Sequence, residues 1–146
     1  MTPQALAQDL RSKIPVSAFL GLEIIEATPK IVRLKFPLAP NINHVQSAFG
    51  GSIYSAGALA CYALFRMISV EAGIQTDSLV IHHGAIEYLA PVLGDFEAIC
   101  ERPSEATVAR FLTQYQRHNK ARLELNAIIQ SGSAPKAKFT GSYVMT

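Results

Sequence analysis

Between Ile53 and Phe65 the chain carries no charged side chain, and the first charge beyond that stretch is Arg66. A helix that is apolar on all its faces has to be buried on every side, so the rest of the molecule must be built around this segment. Just ahead of it, before Ser52, stand Gly50 and Gly51, which end a polar loop running from Asn41-Ile42-Asn43-His44-Val45-Gln46-Ser47 through Ala48-Phe49. The helix N-terminus is therefore expected to open into the protein interior. Its unpaired backbone N–H groups carry partial positive charge. Glycines at that entrance let a carbonyl oxygen or oxyanion approach the backbone closely.

The other elements follow from pattern. Thr2-Pro3 with Leu6, Leu10 and Ile14 reads as a short helix with Pro3 at its first position and Pro15 ending it. Leu22 to Ala27 and Ile31 to Phe36 read as two strands of a hairpin, Val32, Leu34 and Phe36 alternating with Arg33 and Lys35. Gly73 supplies a stop for the apolar helix. Leu79 to Tyr88 and Phe96 to Arg102 are further strands, and Pro103-Ser104 opens a second helix carrying Val108, Phe111, Leu112 and Tyr115 at helical spacing. Leu123, Leu125, Ala127 and Ile129 mark a long half-buried strand, and a turn over residues 132–135 returns the chain as a last strand, Lys136 to Met145. Consecutive strands with short turns imply a mainly antiparallel α+β fold: six strands wrapped around one apolar helix, in a single domain spanning residues 1–146.

Composition excludes several function classes. Net charge is only +2 and lysine and arginine form no run, so no nucleic-acid surface is expected. Cys61 and Cys100 suit neither a metal pair nor a disulfide framework and read as buried thiols. His82 and His83 are neighbours on a strand and are expected on opposite faces, so no metal site is expected. The apolar stretch approaches transmembrane length, but Gly57, Tyr54, Tyr62, Ser55 and Arg66 interrupt it, and no membrane span is expected. No secretory signal is evident, which points to the cytoplasm. Hydrophobic residues make up 49% of the chain and charged ones 16%. So apolar a small domain commonly hides part of its surface in a subunit interface.

The element order, together with Ala39-Pro40-Asn41-Ile42-Asn43-His44, Ala48-Phe49-Gly50-Gly51-Ser52-Ile53-Tyr54-Ser55, Tyr88-Leu89-Ala90-Pro91 and Gly94-Asp95, resembles the hotdog fold of acyl-thioester enzymes. The chain is most similar in these motifs to the thioesterase-like domain that also occurs at the C-terminus of YiiD-like acetyltransferases. The resemblance implies a homodimer, or a tetramer built from dimers, with pockets for acyl-CoA or acyl-carrier protein shared between chains. It implies no cofactor beyond the coenzyme A moiety of the substrate itself.

By the same resemblance, Gly50 and Gly51 match the backbone donors that polarise the thioester carbonyl. Asn43 lies six residues before Phe49, the spacing at which related thioesterases carry an Asn before the His of a His-Gly-Gly motif; Phe49 stands in place of that His. Asn43 either holds the water or thioester or closes an Asx turn. Asn41, with no such counterpart, reads as a turn residue. Those relatives also carry an Asp or Glu seven residues after the second glycine. Here that position is Ala58, and no acid occurs from Ser52 to Val70.

Substitutes for the missing carboxylate are His44, since histidine changes charge near neutral pH, and Ser55, on the same helical face as Ala58, with Tyr54 and Tyr62 nearby. Gly50, Phe49, Ser52 and Tyr54 are assigned to substrate binding, Ser52 being expected to cap the helix rather than attack. Asp77 and Glu87 flank one strand and are within reach of a neighbouring subunit's site, while Asp95 reads as a turn residue. Arg102, Arg110, Arg117 and Lys120 are the cations available for coenzyme A phosphates, unless they are solvated surface charge. A thioesterase is the first expectation. A non-catalytic acyl-thioester binding protein needs the pocket but no base, and a dehydratase would need both an acid and a helix histidine that this chain lacks.

Overall fold

A computed structural model describes all 146 residues. Helix α1 (Pro3–Lys13) starts on the Thr2 side chain, which accepts from the Ala5 N–H, and a short α2 (Val16–Phe19) follows Pro15. The hairpin β1 (Glu23–Ala27) and β2 (Ile31–Phe36) leads through a single 3-10 turn (Ala39–Asn41) to α3 (Gly50–Glu71). Then come β3 (Leu79–Tyr88), β4 (Phe96–Glu101), α4 (Glu105–His118), β5 (Ala121–Ser131) and β6 (Ala134–Met145).

The strands form one antiparallel sheet in the order β1-β2-β4-β5-β6-β3. The sheet curls so that α3 touches all six strands. This is the hotdog arrangement that the motifs imply. Leu123, Leu125, Ala127 and Ile129 of β5 and Phe139, Tyr143 and Met145 of β6 are buried against the helix. Burying each such large side chain is worth roughly 1.5–3 kcal/mol. By length and composition α3 is apolar enough to cross a membrane, yet 72% of its most apolar window lies buried within the domain.

Strict alternation fails in β3, for an instructive reason. Leu79 and Ile81 fall in one phase, Ile86 and Tyr88 in the other. The register slips between Ile81 and His83, leaving His82 as an extra residue. Leu79 and Ile81 then stand opposite buried Met145 and Tyr143, while Gly84, Ile86 and Tyr88 stand opposite buried Gly141, Phe139 and Ala137. A bulge of one residue thus turns both apolar sets to the helix side, where an unbroken strand would expose one of them. His82 folds back so that its Nδ1 lies 3.1 Å from the Ser142 carbonyl oxygen. Both His82 and His83 are exposed, and no cluster of three metal-ligating side chains exists in the fold.

Two expectations about α3 need correction. It is not buried on every side: Gly51 is exposed, and Tyr54, Ser55, Ala58 and Tyr62 are only partly covered. Its N-terminus consequently reaches the surface rather than opening into the interior. The sheet covers one side of the helix, and α1 closes only the far part of the other, through Arg66 and Asp9, 3.6 Å apart. The cysteines are buried as free thiols, with Sγ atoms 3.7 Å apart linking α3 to β4.

Candidate functional site

The start of α3 is shaped by what it lacks. Its N-cap is Phe49, which offers no side-chain cap, and Ser52 is the third helical residue and buried, not the cap the sequence suggests. The Phe49 carbonyl takes the N–H groups of Ser52 and Ile53, at 2.9 and 3.1 Å. Those of Gly50 and Gly51 have no acceptor. Two free donors therefore sit at the positive end of a 22-residue helix. Glycine is a poor helix former, but close contacts favour it at both positions. A Cβ on Gly51 would run into the Phe49 ring, and one on Gly50 would come within 3.2 Å of the Tyr88 hydroxyl.

The chain leading in is pinned on both sides. Phe49 N–H donates to the Asn41 carbonyl at 2.7 Å, and Ala48 N–H to the Val92 carbonyl at 2.8 Å. Asn41 is a buried staple rather than a surface turn residue, its amide nitrogen donating to the carbonyls of Leu20 and Pro37 at 2.8 Å each. Asn43 closes the loop: its Oδ1 accepts from the N–H of Val45 and of Ser47, both at 3.0 Å, and its Nδ2 donates to the Ser47 hydroxyl at 2.9 Å. This is the Asx-turn geometry. His44, next along, is exposed.

Tyr88, from the end of β3, donates its hydroxyl to the Gly50 carbonyl at 2.8 Å. Burial, and secondarily Tyr54, raises its pKa, so it stays a proton-bearing donor. No feature of the sequence alone singled out this contact. Ser47, Ala48, Gly50 and Ile53 face the 88–92 segment across a groove of about 370 Å³.

The remaining candidates lie further down the helix. Ser55 faces a second, apolar furrow together with Ala58. Tyr54 leaves that line: its ring packs edge-on against Phe139, centroids 5.1 Å apart, and its hydroxyl presses on Gly84, where no Cβ fits. Asp77 is held by Lys13 at 2.6 Å, which lowers its carboxyl pKa. Asp95 is structural as expected, accepting from the Leu38 N–H at 2.9 Å. Arg102 is not free for a phosphate. It pairs with Glu71 at 2.9 Å and Glu105 at 3.0 Å, at the opposite end of α3 from the glycines, a span of about 30 Å.

A sequence model of the family described as "Putative thioesterase (yiiD_Cterm)" matches residues 3–146. Among solved structures, a protein of unknown function from Chlorobaculum tepidum TLS is 36% identical, with a TM-score of 0.91 over 98% of this chain and 93% of that one. A putative thioesterase from Shewanella oneidensis is 29% identical, with a TM-score of 0.87 over 99% and 96% of the two chains. A thioesterase from Haemophilus influenzae is only 11% identical but shares the fold, with a TM-score of 0.74 over 100% and 92%.

Proposed function

Because this chain belongs to the putative thioesterase family of the YiiD C-terminal type, we propose that it hydrolyses acyl thioesters of coenzyme A or of an acyl-carrier protein, in the cytoplasm. The observation that carries this reading is the pair of free N–H groups on Gly50 and Gly51 at an exposed helix start. Donors fixed before the reaction stabilise the negative charge that forms on the carbonyl oxygen when water adds to its carbon. The C–S bond then breaks and the thiol leaves with a proton.

In this reading Asn43 is a positioning residue: its amide shapes the loop that delivers Phe49 to the helix start. Phe49, exposed beside the free donors, borders the path of the substrate; Ser52, buried, and Tyr54, packed on Phe139, back the helix start from within the fold. With Ala58 in place of the acid, His44 and Ser55 are the groups available to accept the proton and orient the water. A second copy of the chain belongs in the same picture. The outer edge of β3 is ten residues long, has no strand beyond it, and carries exposed Val80 and Ile81. Such an edge calls for a partner strand, and a homodimer or a tetramer of dimers would bring further residues to each site.

The absence of a carboxylate from Ser52 to Val70 favours one competing reading, a protein that binds acyl thioesters without cleaving them. Thiol release from a panel of acyl-CoAs, with Asn43→Ala alongside, separates the two. Turnover that falls in the variant supports hydrolysis. Thermal stabilisation by acyl-CoA with no thiol released supports the binding protein.

A further inference from the structure

The accessible stripe of α3 continues past the glycines. Gly51, Ser55, Ala58 and Tyr62 follow at steps of four, three and four residues, which places them on one helix face. Beyond Gly51 this stripe becomes one wall of an apolar furrow of about 220 Å³. Ile14 and Val16, at the junction of α1 and α2, and Ile81 of β3 also line it. Tyr143 lines it too, but its hydroxyl donates to the Ala58 carbonyl at 2.7 Å and offers nothing polar to a ligand.

The end of the stripe is closed by charge. Arg66, one turn beyond Tyr62, donates to the Thr76 carbonyl at 2.7 Å and lies 3.6 Å from Asp9. A hydrocarbon pushed past Tyr62 would meet ions instead of apolar wall.

The geometry points to this furrow as the seat of a medium-length aliphatic acyl tail, with Ala58 and Tyr62 setting its length. The inference rests on the thioester carbonyl sitting at Gly50 and Gly51. At 1.5 Å of rise per residue, Ala58 is about 10 Å and Tyr62 about 16 Å from Gly51. An extended chain of roughly 1.5 Å bonds advances about 1.25 Å per carbon. About eight carbons therefore reach Ala58, and about thirteen reach Tyr62. Shorter acyl groups leave the furrow empty, and much longer ones overrun it. Ala58 thus has a use of its own: the carboxylate that relatives carry there would make this wall polar, whereas the methyl group keeps it fit for hydrocarbon.

The test is a chain-length series on the wild type, Ala58→Phe and Tyr62→Ala. Thiol release is measured on saturated acyl-CoAs from about two to sixteen carbons, and binding on the matching S-alkyl-CoA thioethers, which cannot be hydrolysed. In the wild type, affinity should rise about four-fold per methylene and level off near thirteen carbons. Ala58→Phe should move the optimum below eight carbons and weaken ten-carbon binding at least ten-fold; Tyr62→Ala should move it to longer chains. Turnover whose length profile neither variant shifts overturns the furrow assignment and leaves the thioesterase reading intact. Thioether binding with the expected profile but no thiol release upholds the furrow and overturns hydrolysis of coenzyme A thioesters. Neither turnover nor length-dependent binding overturns both. Should Ala58→Phe fail to fold, the shift in Tyr62→Ala decides the question.

Discussion

The two ends of α3 are finished in opposite ways. At the C-terminal end charges are set against one another: Arg66 lies 3.6 Å from Asp9 and donates to Thr76, Glu71 pairs with Arg102, and Lys13 bridges Asp9 and Asp77. The N–H of Ala72 caps the last turn and Gly73 follows at a positive φ of 75°. The N-terminal end has no cap, two free N–H groups and exposed side chains at Phe49 and Tyr88. One helix therefore anchors the fold at one end and leaves its dipole unanswered at the other. Groups already satisfied within the fold hold structure together; unsatisfied ones at an accessible position are free to act on something else.

Substitutions at the two ends should separate stability from activity. The largest effect falls at the anchored end. Arg66→Ala removes a buried guanidinium that donates to the Thr76 carbonyl, while Asp9 keeps Lys13, and should cost about 3 kcal/mol of unfolding free energy, read by urea denaturation; an unchanged midpoint would break the contrast. Gly51→Pro comes next. Proline is accepted in the first turn of a helix but removes one of the two donors, so thioester hydrolysis should fall about a hundred-fold or more, a loss well beyond the small drop in melting temperature expected as the exposed Phe49 ring moves aside for it. If the rate drops only in step with unfolding, the donor assignment fails. Asn43→Ala loosens the loop and should lower the rate about ten-fold through misplacement of the helix start. Full activity on every substrate would remove Asn43 from the site.

Smaller effects belong to the anchored half. Ser104 caps α4 by accepting from the Thr107 N–H at 3.2 Å. Ser104→Ala should cost about 1 kcal/mol of stability, measurable by calorimetry, with kcat untouched. Burial, and next the neighbouring Cys100, raises the Cys61 thiol well above its ordinary 9.0. That contribution to stability is complete below the unfolded value and fades as pH climbs above about 9, because only the unfolded chain ionises readily there. Native protein at pH 8 should accordingly leave both thiols unmodified by a disulfide reagent, and denatured protein should expose both. Rapid modification of the folded protein would contradict the packing of α3 on β4.

Much of this was legible from local pattern. The β1–β2 hairpin, the alternation of β5 and the Ser104 cap are short-range signals, and each appears where the residues place it. The Gly-Gly start of α3 was legible as a helix N-terminus with unpaired backbone N–H groups. What pattern could not reveal is which apolar side chains pack and which line a space. Ala58 and Ala60 are equally hydrophobic, yet Ala60 is fully buried and Ala58 faces the furrow. The bulge at His82 was hidden because two in-phase halves of β3 look like one ambiguous strand until β6 lies beside it.

By itself the sequence determined that one uncharged segment must lie at the centre, that strands would surround it, and that its first turn would be glycine. These follow from composition and spacing, which act over a few residues. Only the tertiary structure decided that β2 lies beside β4 and β3 beside β6, that Tyr88 reaches the Gly50 carbonyl, and that one stripe of α3 stays open from Gly51 to Tyr62. Those contacts join residues tens of positions apart, and their existence depends on how the whole sheet curls around the helix.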